Sequence, residues 1–205
     1  MNKRAVDVVL LPSKEMMGEA IRLSGEIGKR FSGGFILNEV DCLPHISLAM
    51  GSIAEEEIPA VRPLLEEIAS RFVPIETPVL GLQVGTLPNG KSVSTLRLET
   101  TPLLQLLHET VMNRVLPLMT HDALPEWFAP PFPIEPGAVD WVNRYPEEAS
   151  FERFSPHMTL GLGRLEEAVS LPARCRSSRL ALCHLGNHCT CRRILIDLPL
   201  AGNER

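Results

Sequence analysis

The chain has 205 residues, 44% of them hydrophobic, and a formal net charge of -5. That length holds one large domain or two small lobes around a real core, and the acidic balance excludes a protein that coats nucleic acid through a broad basic face. No apolar stretch approaches the ~20 residues needed to span a bilayer, so no membrane partner is expected.

Residues 5–11 (AVDVVLL) read as a buried strand ended by Pro12, with Ser13 placed to cap the next helix. That helix sets Met16, Met17, Ala20, Ile21, Ile27 and Phe31 on one side at near-helical spacing, and Gly33-Gly34 stops it. Residues 44–53 read as a strand. A second amphipathic helix carries Val61, Leu64, Leu65, Ile68 and Phe72, with Pro63 acceptable only in its first turn. Strands over 75–85 and 92–99 are joined by a Pro88-Asn89-Gly90 turn. Thr101-Pro102 pairs a helix cap with a proline at the first helical position, and Leu103, Leu104, Leu107, Val111, Val115 and Leu118 make the buried face of that third helix. Residues 155–163 return to strand, and 179–198 form a hairpin about Gly186-Asn187. Strands and helices thus mix, with antiparallel hairpins, which is the α+β class.

Residues 120–154 break this pattern. Pro125, Pro130, Pro131, Pro133, Pro136 and Pro146 interrupt any long regular element, yet the stretch holds Trp127, Trp141, Tyr145, Phe128, Phe132, Phe151 and Phe154. So many rings predict an ordered flap packed by its own side chains. One or two of them, with Tyr145, Trp141 and Phe154 as candidates, are placed to stack on a base. Arg153, and more weakly Arg144, are candidates to hold a phosphate.

Two segments repeat in order and spacing: Pro44-His45-Ile46-Ser47-Leu48-Ala49-Met50-Gly51 and Pro156-His157-Met158-Thr159-Leu160-Gly161-Leu162-Gly163. On a strand, alternate side chains share a face. His45 and Ser47 therefore point one way, and Ile46 and Leu48 anchor the other; His157 and Thr159 are arranged likewise against Met158 and Leu160. Brought together, the two imidazoles can serve as the acid and the base that phosphodiester cleavage needs, on opposite sides of the phosphorus. The Ser47 and Thr159 hydroxyls can donate to the non-bridging oxygens. This chemistry calls for no metal and no cofactor.

These paired His-x-Ser/Thr-hydrophobic motifs resemble the two-histidine phosphoesterase superfamily, which includes bacterial 2′-5′ RNA ligases and cyclic phosphodiesterases. The order of strands and helices is also similar, over most of residues 5–198, and the flap accounts for a motif spacing slightly long for that family. The resemblance implies one bilobal α+β domain over residues 1–205, pseudo-two-fold symmetric, with two antiparallel sheets facing a central groove and helices outside. It implies a hydrolase that processes 2′,3′-cyclic phosphates or 2′-5′ linkages, with reversible 2′-5′ RNA ligation among the family's activities. His45 and His157 carry over as acid and base, with His157 favoured as the base, and Ser47 and Thr159 carry over as phosphate donors. The acidic balance points to a small nucleotide phosphoester or an RNA end rather than a long RNA. The alternative is a non-catalytic module that holds a nucleotide or phosphorylated ligand in the same groove.

The remaining signals rank lower. Cys175, Cys183, His184, His188, Cys189 and Cys191 invite a zinc reading, but no pair of Cys-x2–4-Cys knuckles appears, and buried reduced cysteines are the expectation. The basic start Met1-Asn2-Lys3-Arg4 meets Asp7 before any signal core develops, and five cysteines form no disulfide framework, so a cytoplasmic protein is expected, a monomer by preference. Arg174, Arg176, Arg179, Arg192 and Arg193, in a stretch without acids, read equally as a phosphate lip or as a charged hairpin edge. Glu55-Glu56-Glu57 reads as a solvated helix entry. His108 and His121 have no matching partner and read as structural or surface residues.

Overall fold

The computed structural model describes residues 2–32, 34–87, 89–165 and 170–202; the expectations placed on Gly33 and Pro88 fall outside them. Strand β1 (Lys3–Pro12) is the apolar run of the sequence and is buried over nearly its whole length. The Ser13 hydroxyl then caps α1 (Lys14–Gly28) by accepting the Met16 N–H at 3.3 Å. The helix ends at a glycine, a residue that leaves helical geometry at little cost. Phe31 therefore lies beyond it, 41% exposed, rather than in its buried stripe.

Strand β2 (Ile46–Ala54) leads into α2 (Ile58–Arg71). Helix α2 begins five positions before Pro63, so that proline sits inside it rather than in its first turn. The bond lost is the one to the Pro59 carbonyl, and both prolines are exposed, so water can take the partner's place. Strands β3 (Ile75–Thr86) and β4 (Ser92–Leu98) form the expected hairpin, with Gly90 at φ +80.

Thr101 caps α3 (Pro102–Val115), accepting the Leu104 N–H at 3.3 Å. Its buried face is Leu104, Leu107, His108, Val111, Met112 and Val115, an unbroken i, i+3, i+4 ladder. Leu103 falls off that ladder and is exposed.

The flap is ordered, but it contains a helix that its prolines argue against: α4 (Pro136–Glu148). Pro136 occupies the first turn, where a missing N–H costs nothing, and Pro146 lies in the last turn. Asn143 ties α4 back to the loop, its amide oxygen accepting the Ala123 N–H at 2.6 Å and its nitrogen donating to the Ala123 carbonyl at 3.2 Å.

Strands β5 (His157–Leu162), β6 (Arg174–Leu185) and β7 (Cys191–Pro199) complete the order. Among the described residues all strand pairings are antiparallel. β1 lies between β2 and β6; β6 pairs with β7 through its C-terminal part and with the start of β3 through Arg174–Ser177. β3 then crosses to pair with β4, and β4 with β5. Two antiparallel halves are thus joined through β3 and β6 into one seven-stranded sheet. The motif strands β2 and β5 end that path, yet they approach each other without pairing. Helix α1 packs on β1 and β5, while α3 and α4 pack on β2.

One expectation about the C-terminal hairpin is overturned and one open reading is decided. Cys183 of β6 and Cys191 of β7 lie diagonally across the shifted register, opposite Ile194 and Leu185, and form a disulfide with Cα atoms 5.5 Å apart. Adjacent antiparallel strands bring cysteines to that separation, and the eight-residue spacing concealed it. The reduced-thiol reading fails for this pair, and its sulfurs are not available as zinc ligands. Reducing the bond should lower the stability of the chain by about 2 kcal/mol, measured by denaturant unfolding of wild type and of the Cys183→Ala/Cys191→Ala variant. The arginines, in turn, find acids on neighbouring strands and loops: Arg176 with Glu76 at 3.1 Å, Arg179 with Asp197 at 3.2 Å and Arg192 with Asp41 at 2.9 Å. That favours the charged hairpin edge over the phosphate lip.

Candidate active site

Both repeats fold as their alternation requires. Ile46, Leu48, Met158 and Leu160 are buried at 0–1% exposure, while Ser47 and Thr159 are half-buried on the other face. The bulges match as well. Val9 pairs with Ser47 and Val8 with Ala49, leaving Leu48 as an extra residue; Thr95 pairs with Thr159 and Ser94 with Gly161, leaving Leu160. A bulge bends its strand and re-aims the neighbouring side chains, and here it follows the hydroxyl residue in both motifs. The closing glycines have a packing reason. A Cβ on Gly51 would sit 2.9 Å from Met119 Cβ, and one on Gly163, at φ +125, 2.5 Å from the Phe31 ring.

The histidines are anchored identically. His45 Nδ1 lies 2.8 Å from the Leu43 carbonyl, and His157 Nδ1 lies 2.9 Å from the Ser155 carbonyl. A carbonyl only accepts, so Nδ1 carries the proton in both rings. In each ring Nε2 is the nitrogen left for chemistry. The two rings differ in setting. His157 is exposed, whereas only 12% of the His45 side chain reaches solvent. Burial pushes the His45 pKa down, and the nearby His157 pushes it down further, outweighing the Leu43 carbonyl. The two imidazoles are therefore close enough that charge on one opposes charge on the other.

Other candidates are placed elsewhere. Phe154 is 7% exposed and stacks on His108 with ring centroids 3.9 Å apart and planes at 3°, so it is packing rather than a base platform. Tyr145 is 3% exposed, on the buried face of α4. The Arg153 guanidinium donates to the Glu147 carbonyl at the end of α4, and Arg144 pairs with Glu148. Trp141, packed edge-on to Tyr145, keeps 39% of its surface open. A cavity of about 570 Å³ lined by Arg4, Asp41, Glu55, Trp127, His184 and Arg193 includes neither His45 nor His157.

Two residues near the motifs escape a reading of the sequence, and a third, His108, is structural as read. Asp7, fully buried, has Oδ2 4.0 Å from His45 Nε2; a charge inside an apolar strand is the signal. Arg97 is exposed directly opposite His157 in the β4–β5 register, where a cation can meet a phosphate. No signal for it exists without the strand pairing. His108, read from the sequence as structural or surface, joins the two motif regions: its Nδ1 donates to Leu48 O at 2.9 Å and its Nε2 accepts the Phe151 N–H at 2.8 Å.

No family model and no curated protein matches this chain. Solved structures do. TT0787 of Thermus thermophilus is similar over 98% of this chain and 100% of its own, at 19% identity and a TM-score of 0.56. E. coli LigT in apo form aligns over 98% of this chain and 99% of its own at 15% identity, with a TM-score of 0.49. Kluyveromyces marxianus Usb1 aligns over 97% and 98% at 10% identity, with a TM-score of 0.45. With its antiparallel sheet and twin motif strands, the described part of the chain has the α+β fold of TT0787.

Proposed function

We propose that this protein is a metal-independent phosphodiesterase, acting on 2′,3′-cyclic phosphates or 2′-5′ linkages of nucleotides or RNA ends by two-histidine acid–base catalysis. One observation carries the reading. Two imidazoles on strands that approach each other are fixed through Nδ1 by the carbonyl two residues earlier, and each presents Nε2. His157, open to solvent, takes the proton of the attacking water. His45 protonates the leaving oxygen, while Ser47, Thr159 and Arg97 meet the phosphate oxygens. The net charge of -5 favours a small phosphoester over a long polyanion. Of the three rings proposed to stack on a base, Trp141 is the one that keeps an exposed face.

The test is ring opening of 2′,3′-cyclic nucleotides with EDTA present. Turnover that disappears in His45→Ala and in His157→Ala supports the proposal. Tight binding without turnover points instead to a non-catalytic binding module, and loss of turnover in EDTA with stoichiometric zinc on metal analysis points to a zinc hydrolase. kcat/KM should be bell-shaped around neutrality, since one imidazole must be charged and the other neutral. A profile flat from about pH 5 to 9 would overturn paired acid–base work. Ser47→Ala and Thr159→Ala should each cost about 10²–10³-fold, as lost oxyanion donors do.

A further inference from the structure

In an antiparallel sheet, directly paired residues put their side chains on the same face. The register therefore carries both motif residues of β5 across the sheet. His157 pairs with Arg97 of β4, which pairs with Gly81 of β3; Thr159 pairs with Thr95, which pairs with Gln83. Burial agrees with this face. Met158, Leu160, Leu96 and Leu98, which alternate with these residues, are 0–3% exposed, whereas His157, Arg97 and Gln83 are exposed. Two rows, polar but for Gly81, thus run from the motif over β4 to β3. Neighbouring strands lie about 4.8 Å apart, so the rows reach about 10 Å from β5.

The far end of these rows is open. The Gln83 amide and the Arg97 guanidinium have no hydrogen bond or ion pair among the described residues. Gly81 has φ +135, and a Cβ there would meet nothing within 4 Å. A glycine inside a strand lets a ligand approach the backbone closely. The Thr95 hydroxyl donates to the Gln83 carbonyl at 3.4 Å and keeps its lone pairs for a ligand hydroxyl.

The other motif strand has no such extension. Ser47 pairs with Val9 of β1, which pairs with Ala181 of β6. Val9 and Ala181 are 0% exposed and belong to a small apolar cluster with Leu11, Leu43, Cys183 and Cys191. A covered, apolar surface gives a sugar or a base nothing to bond. A phosphoester gripped between the two histidines therefore finds open polar partners beyond its phosphate over β4 and β3.

We infer that the nucleoside of the substrate lies over β4 and β3, with a sugar hydroxyl toward Thr95 and its base at Gln83, a specificity-determining residue; this rests on the phosphodiesterase reading of the groove. An amide offers a donor and an acceptor side by side, and nucleobase edges carry the same pairing. Arg97, between His157 and Gly81, stays with the phosphate.

The test takes the best used of the 2′,3′-cyclic phosphates of adenosine, guanosine, cytidine and uridine. It sets this nucleotide against ribose 2′,3′-cyclic phosphate, which keeps the reacting group and lacks the base. Wild type should use the nucleotide with the higher kcat/KM. Gln83→Ala should lower that value about tenfold, the worth of a hydrogen bond at a recognition site, and leave the base-free substrate unchanged. Equal losses on both substrates, no loss on the nucleotide, or a wild type that does not distinguish the two overturns the inference. Gln83→Glu keeps the length of the side chain and loses the amide donor, so it should change the order of preference among the bases; an unchanged order counts against Gln83. Calorimetry with the nucleoside 3′-monophosphate and with inorganic phosphate makes the same comparison without turnover: Gln83→Ala should weaken the first about tenfold and the second not at all. Should wild type turn over neither cyclic phosphate while binding still depends on Gln83, the phosphodiesterase reading falls and the base site stands. Turnover that ignores Gln83 removes only the base site.

Discussion

Replacing either His45 or His157 by alanine is expected to lower kcat toward a 2′,3′-cyclic nucleotide by about 10²–10⁴-fold, the usual worth of a positioned acid or base. The double variant should be little worse than the poorer single one, because an acid and a base that act in one transition state are lost as a unit. Stability should change less than activity. His157 is exposed, and each ring makes one hydrogen bond to the protein, to a carbonyl two residues away. Single-turnover kinetics beside thermal melts separates the effects. A single variant that keeps wild-type kcat would remove that histidine from the chemistry.

The second large effect concerns His108. It is fully buried, both ring nitrogens are bonded, and Phe154 stacks on its face. His108→Ala strands the Phe151 N–H and the Leu48 carbonyl and opens a cavity, which should cost about 3–5 kcal/mol. Leu48 adjoins Ser47, and Phe151 and Phe154 lead into His157. The loss should therefore reach both motifs and reduce kcat even where the variant remains folded.

Acid should act through the same ring. Burial pushes the His108 pKa down to about 4, against an ordinary value of 6.5. Between those values the unfolded chain binds a proton that the folded one refuses. Stability is then complete above about pH 6.5 and falls as the pH drops toward 4, by about 3 kcal/mol in all. Chemical denaturation at several pH values checks this, since the part due to His108 should vanish in His108→Ala. Equal pH dependence in the two proteins would contradict it.

The legible parts of this protein are those governed by local periodicity. The alternation of β2 and β5, the Ser13 and Thr101 caps and the duplicated motif are properties of short segments, and neighbouring residues alone decide them. Local rules fail where the position they apply to is set from a distance. Pro136 reads as a helix breaker until its place in the first turn of α4 is known. The hairpin arginines lack acids nearby in the chain because Glu76 and Asp41 lie far away in sequence. Tyr145 and Phe154 are aromatic enough to meet a ligand, but packing buries them.

The amino-acid sequence by itself determined the chemical groups, two imidazoles and two hydroxyls, and the face of each strand on which they stand, because side-chain alternation is built into the extended backbone. Tertiary structure alone decided what surrounds them. It set the curl of the sheet that brings β2 toward β5, the Cys183–Cys191 bond, the placement of Arg97 opposite His157, and Asp7 beside His45. Those relations join residues tens of positions apart or on different strands. They follow from strand register and burial, which no local pattern encodes.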